Sequence, residues 1–329
     1  MRVTIKDVAK KAGVSPTSVS LVLNNRPNNI SKETKKIIFN AAKELNYTPN
    51  FFAQSLKSSM SDMIAIILPS LSNPFFAELA SNLNTLAAEK NLTALIIETR
   101  YKEEPIDQII DTLKKFRVIG IVLIVSSYHQ DIINFIQEGD IPLVTTDIRL
   151  DNAPSIFVDN IHGGVIATQH LINHGHQKIG CYTGPKGIHS SDNRVKGYTK
   201  ALKRNGINEM FFFEGNYNLG REDEALDYFL SSNCSAIFAL NDMMAYGLYK
   251  TARKRQLSIP NDLSIVGFDN ISFSEVVFPE LTTVDQPISQ MSEKIISILI
   301  KNIRRQPVED TTIIKPRLIK RNSVCHFKK

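Results

Sequence analysis

The 329-residue chain is 43% hydrophobic with a net charge of +6, the composition of a globular protein with room for two or three packing units. No apolar run nears the ~20 residues of a membrane span and the N-terminus lacks a signal-peptide core, so no membrane association is expected and the expected location is the cytoplasm. The charge is uneven: residues 1–60 hold ten Lys/Arg against three acids, a net of +7, and the remainder sums to −1, as in a polyanion-binding head on a neutral body.

Thr4 stands where it can cap a helix, with Asp7 three residues on to reach back. Val8, Ala9 and Ala12 follow at helical spacing, and Gly13 permits a turn. Ser15 caps a second helix, with Pro16 at its first position. Val19, Val22 and Leu23 form its inner face, which turns Thr17, Leu21 and Asn24 outward. Two short helices on a tight turn, the second presenting small polar groups, can enter the major groove of DNA. An ordinary helical hairpin is the alternative; the basic excess over the same stretch favours DNA. Ser31 caps a third helix, whose Ile37, Ala41 and Leu45 are predicted to close a three-helix core. Asn50 opens a last short helix, FFAQSLK, with Ala53 and Leu56 on one face, and 58–62 reads as a linker. So short a helix needs something to pack on.

Beyond it, apolar runs at 63–69, 93–98, 119–125, 141–147, 155–160, 178–184, 210–215, 236–242 and 264–270 read as strands. Amphipathic stretches such as 75–90, 105–117 and 129–139 separate them. This alternation predicts parallel sheets in two doubly wound lobes. Asp147, Asn241, Asp242 and Asp269 stand at strand ends, where the cleft between two such lobes would lie. Phe211 to Phe213 read as a buried strand. Cys181, Cys234 and Cys325 lack metal spacing and read as reduced packing residues. His170 and His174 suit a helix end, and with His176 are not read as a metal site. Gly163-Gly164 belongs to no dinucleotide fingerprint, and no GxSxG, HExxH or P-loop occurs. Neither a cofactor nor an enzymatic activity is expected.

VTIKDVAKKAGVS, the VS.VLN of the second helix, ELNYTPN..A.SL, PSLSNPFFAEL, HLINHGHQKIG, NR..GY..AL, ALNDMMAYG, SIVGFDN, LTTVDQP and PRLIKRNS occur in this order between Val3 and Arg321. The series resembles the LacI/GalR family of bacterial transcriptional regulators. The resemblance implies an all-α helix-turn-helix head over 1–49, a hinge helix and linker over 50–61, and a periplasmic-binding-protein-like α/β core over 62–329. The N-lobe would hold about 62–159 and 286–312, the C-lobe about 160–285 and 313–329. It further implies a homodimer on a roughly palindromic operator. The DNA-facing set would be Thr4, Ser15, Pro16, Thr17, Ser18, Leu21 and Asn24, with Ala53 and Leu56 from the hinge helix. Many relatives carry Arg at the position of Leu21, so the half-site should differ there. Effector contacts would fall on Phe75 (with Phe76 as an alternative), Asp147, Arg194, Tyr217, Asn241, Asp269 and Gln286. That set suits a sugar that releases a repressor from a carbohydrate-use operon. A purine-type or sugar-phosphate corepressor, and a solute-binding receptor without DNA function, are the alternatives. No leucine-heptad tail follows Arg321, so a dimer rather than a tetramer is expected.

Overall fold

A computed structural model describes residues 3–23, 28–47, 62–99, 106–124, 130–150 and 153–327. Its contacts separate into two units, Met1–Ser61 and Asp62–Lys329.

In the first unit, helix α1 (Ile5–Ala12) begins where the Thr4 amide and hydroxyl both donate to Asp7 Oδ2, at 2.8 and 2.7 Å. Gly13, at φ 67°, ends it in the left-handed conformation, which costs glycine nothing. In α2 (Pro16–Leu23), the Ser18 amide donates to Ser15 Oγ at 3.1 Å. The α3 helix (Lys32–Glu44) is capped by Ser31, which accepts from the Thr34 amide. The core of this unit is Val8, Ala9, Val19, Val22, Ile38, Ala41 and Ala42, with Leu23 and Leu45 packed against it. Here the structure corrects the expected phase of α3: Ile37 is 52% exposed and Ile38 is fully buried. Ile38, Ala41, Ala42 and Leu45 form the three-and-four-residue stripe that a helix buries; stepping by four from Ile37 alone missed it. The expected helix at 51–57, with Ala53 and Leu56, lies outside the described residues, as does Asn24.

The second unit holds two six-stranded sheets. The first orders as β11 (Thr311–Ile314), β5 (Ser155–Val158), β4 (Leu143–Thr146), β3 (Gly120–Ile124), β1 (Met63–Leu68) and β2 (Thr93–Glu98), with every pairing parallel. The second orders as β12 (Arg317–Ile319), β10 (Thr282–Asp285), β9 (Ser264–Asp269), β8 (Ala236–Ala239), β6 (Ile179–Thr183) and β7 (Phe211–Glu214). Only β12 runs antiparallel to its neighbour. Strand β1 shows why an unbroken apolar run suits such a sheet. Ile64, Ile66 and Leu68 enter one core, and Ala65 and Ile67 enter the core on the opposite face. Helices α4 (Pro74–Glu89) and α11 (Ile288–Ile303) cover the first face; α5 (Ile106–Phe116) and α6 (Gln130–Glu138) cover the second.

Helices α7 (Asn160–Asn173), α8 (His189–Arg204), α9 (Glu222–Ser231) and α10 (Asp242–Lys254) flank the second sheet. A Cβ on Gly164 would lie 2.3 Å from the Arg194 carbonyl oxygen, and one on Gly197 2.3 Å from that of Ile161. The glycine pair therefore serves the close crossing of α7 and α8. Nine strands were expected; β10, β11 and β12 come in addition, and they pair where the chain passes between the lobes. Phe211–Phe213 do form a strand, but it is an edge strand and Phe212 is 40% exposed, so the expected full burial is corrected. Cys181 and Cys234 are buried free thiols, and burial pushes the Cys234 thiol up to about 12. Among the described residues, no helix is long and apolar enough to cross a membrane.

The phase of α3 is testable. Ile38→Ala should cost the first unit about 2–5 kcal/mol, whereas Ile37→Ala should stay within about 0.5 kcal/mol, read as amide exchange over residues 5–44. Equal effects would refute the assignment.

Candidate functional site

A narrow cleft between the lobes lies beyond the carboxyl ends of the strands. It encloses about 460 Å³ including its mouth. Phe75, Asp147, Arg194, Tyr217, Asn241, Asp269 and Gln286 all line it, together with Phe76, Asn73 and Ser190. The strands dictate this convergence: Asp147 follows β4, Asn241 follows β8, Asp269 ends β9 and Gln286 follows β10. Phe75 sits in the first turn of α4, which begins where Asn73 Oδ1 accepts from the Phe75 amide. Asp147, Tyr217 and Asp269 have φ of 60°, 64° and 124°, values that side chains other than glycine rarely adopt and that concentrate at functional sites.

Arg194 is the centre of the cleft. Its Nε donates to Asn160 Oδ1 at 2.8 Å, Nη1 donates to the Leu240 carbonyl, and the guanidinium lies 3.6 Å above the Phe268 ring. Asp269 Oδ1 is 3.6 Å from Nη1 and also accepts from Gln286 Nε2 at 2.6 Å. Asn160 and Phe268, which orient Arg194, were not among the predicted residues; the end of the SIFVDN run was the available signal for Asn160. The Asn241 amide is already engaged, its Oδ1 accepting from the Met244 amide and its Nδ2 donating to the Tyr217 carbonyl. It therefore holds the Tyr217 turn as well as facing the cleft, with one lone pair and one N–H in reserve. The Tyr217 hydroxyl is buried without a hydrogen-bond partner among the described residues. Its ring occupies the space that a Cβ on Gly184 would need.

Burial raises the pKa of Asp147, opposed by the charges of Arg194 and His189. Burial likewise raises that of Asp269, against the pull of Arg194 and with added push from Asp242. Asp242 faces away from the cleft, accepting from Thr283, Ser274 and the Ile271 amide, so of the expected strand-end acids it is structural. The histidines are structural too. His174 Nδ1 bonds the His170 carbonyl at the end of α7, and His176 bridges Ser235 and the Cys325 carbonyl. Burial and the neighbouring His174 lower His170 to about 4. Among the described residues, no group of His, Cys, Asp and Glu is placed to hold a metal ion.

In the first unit, Thr4, Ser15, Pro16 and Thr17 are exposed, and Ser18 and Leu21 are half-buried. The Ser15 and Ser18 hydroxyls bond each other at 2.9 Å, which leaves Thr17 as the outward hydroxyl of α2. Lys6, Lys10, Lys32, Lys36 and Lys43 are exposed, and Lys11 pairs with Glu44 at 2.6 Å.

Residues 4–50 match the model of bacterial regulatory proteins of the lacI family, and residues 168–324 match a periplasmic binding protein-like domain. The transcriptional regulator DegA of Bacillus subtilis is 34% identical over 332 residues, covering 98% of each chain. The chain belongs to the lacI family. Among solved structures, the lac repressor dimer bound to operator and an anti-inducer is similar at a TM-score of 0.86 and 26% identity, covering 99% of this chain and 100% of that one. A LacI family regulator from Enterococcus faecium with bound ribose is similar at 0.76 and 25% identity, covering 81% and 100%.

The acid pair gives this lacI-family core a pH signature. With Asp269 raised above its ordinary 3.8, the folded state keeps a proton that the unfolded chain has lost. Stability should therefore fall as pH rises from about 4. Asp269→Asn, neutral throughout, should reduce the difference between pH 5 and pH 8 by at least about 1 kcal/mol in denaturant titrations. Parallel pH profiles would contradict the shift.

Proposed function

We propose that the protein is a homodimeric transcriptional repressor, released from a roughly palindromic operator when an unphosphorylated sugar fills the cleft. The reading of DNA by Pro16, Thr17 and Leu21 rests on the exposure of Pro16 and Thr17, with Leu21 half-buried one turn further along α2, and on the lacI-family match across 4–50. Thr17 can bond a base or set its methyl on thymine, and Leu21 offers apolar contact alone. Thr4, Ser15, Ser18 and Asn24 complete that surface in this reading. Ala53 and Leu56 would act from the hinge, Leu56 as the apolar wedge that unstacks a base step and bends the duplex. A two-fold dimer asks for a two-fold site, and the similar lac repressor is a dimer on its operator.

The observation that carries the ligand class is the set of groups converging on one slot. Asp147, Asp269, Asn241 and Gln286 alternate acceptors with donors, Arg194 adds a fork, and Phe75 and Tyr217 add ring faces. Hydroxyls both donate and accept, so a polyol can satisfy such a set at every position. A phosphate would meet a guanidinium whose charge is already shared with Asp269 and whose Nε and Nη1 already bond Asn160 and the Leu240 carbonyl, which leaves the phosphate charge poorly compensated. The similar regulator with bound ribose supports the sugar class. Release follows if the sugar prefers the lobe arrangement that binds DNA less well.

The test is a thermal-shift screen of the full chain against neutral pentoses and hexoses, their phosphates and nucleobases. At least one neutral sugar should raise Tm, and Arg194→Ala should abolish that rise. A rise with nucleobases or phosphates alone would overturn the reading.

A further inference from the structure

The three covalent crossings between the lobes are joined by a fourth, noncovalent tie. After β9, Asp269 and Asn270 both take positive φ, 124° and 56°, and turn the chain out of the second sheet towards the N-lobe. Ile271, 1% exposed, is buried in the same apolar cluster as Phe75 and Leu79 of α4. The next amide, Ser272 N–H, donates to Glu78 Oε1 on α4 at 3.1 Å. The base of this segment belongs to the C-lobe. Asp242 Oδ2 accepts from the Ile271 amide at 3.1 Å and from Ser274 Oγ at 2.7 Å, and Tyr246 OH bonds Ser274 Oγ at 2.8 Å. Arg321 Nη2 donates to Asn270 Oδ1 and Glu275 Oε1, at 2.9 and 2.8 Å. That pins the segment from the C-terminal KRNS stretch.

A segment braced by one lobe and seated in the other acts only while the two are together. We propose that Ile271, Ser272 and Glu78 form a latch that holds the cleft closed and sets how readily it opens. None of the three lines the cleft, so they are positioning residues. Asp269 begins the same segment, so a ligand that shifts Asp269 bears directly on the latch. Because Glu78 is the acceptor and a backbone N–H the donor, this hydrogen bond resists changes of the Ser272 side chain; beside it Ile271 is buried in the N-lobe cluster, on which Met243 and Tyr246 of α10 also pack. The proposal holds whichever small molecule the cleft takes.

Proline can delete that one N–H. Ile271, at φ −68° and ψ 157°, already has the extended conformation that a following proline requires, and Ser272 begins a 3-10 turn, where proline is tolerated. In ligand-free full-length protein, Ser272→Pro and Glu78→Ala should speed amide exchange about tenfold over segments 73–80, 145–148 and 269–275, the loss of one hydrogen bond to a charged group. Glu78→Gln, which still accepts, should stay near wild type. The Asp147 turn at 145–148 is touched by none of these changes, so faster exchange there reports opening. Alanine is a good helix former, so local fraying of α4 does not mimic the effect. If Ser272→Pro does not fold, Glu78→Ala, on the half-buried surface of α4, carries the test alone. Unchanged exchange at 145–148, or equal acceleration in β6 and β8, would overturn the latch.

Discussion

The structure depends on keeping one guanidinium dry between two lobes. A buried cation is tolerated only when its donors and its charge are both met, and the C-lobe elements around the cleft do this for Arg194. The first residue of α7 supplies Asn160, the residue after β8 supplies the Leu240 carbonyl, and β9 supplies both the Phe268 ring and Asp269. The Gly164–Gly197 crossing brings α8 close enough to α7 for the arginine to reach them. The acids facing it are pushed towards their neutral forms by the same burial. The cleft is thus held ready at a cost in backbone strain and desolvation, which a ligand rich in hydroxyls would repay by supplying the missing partners.

The two units divide the physics. The first is a small helical core whose outer surface is basic and whose second helix exposes its N-terminal turn; there long-range electrostatics and base contacts decide. The second is a pair of sheets with the cleft lying between them. A small molecule can influence DNA only through its preference between lobe arrangements. In the proposed mechanism, the contacts that bridge the lobes, Ile271 and Ser272 on α4 among them, would set the size of the response as much as the contacts that touch the ligand.

Much of this was legible in the sequence, for reasons visible in particular residues. The MIAIIL run of β1 could be read because a parallel strand covered on both faces needs no polar position. The strand-end acids could be read because each follows such a run. Strands β10 to β12 could not: they are short, and Thr282 and Thr283 are buried as polar residues, satisfied by Arg321 and Asp242 across some forty positions of chain. The adjacent Ile37 and Ile38 left the phase of α3 open by one residue, which tertiary packing alone resolves. Asn160 stood at the end of the SIFVDN run, but its purpose is set by a partner 34 positions away. Asn241 reads as a ligand acceptor from its place at a strand end, yet its amide also caps α10 and holds the Tyr217 turn.

Coupling between cleft and DNA is tested most directly through linkage. Fluorescence anisotropy of the full-length protein on a duplex selected from a random pool gives the DNA affinity with and without a saturating sugar found by thermal shift. Calorimetric titration gives the sugar affinity with and without that duplex. The two factors should be equal, both weakening by the same ratio. A sugar that binds the cleft while DNA affinity stays unchanged would contradict the mechanism.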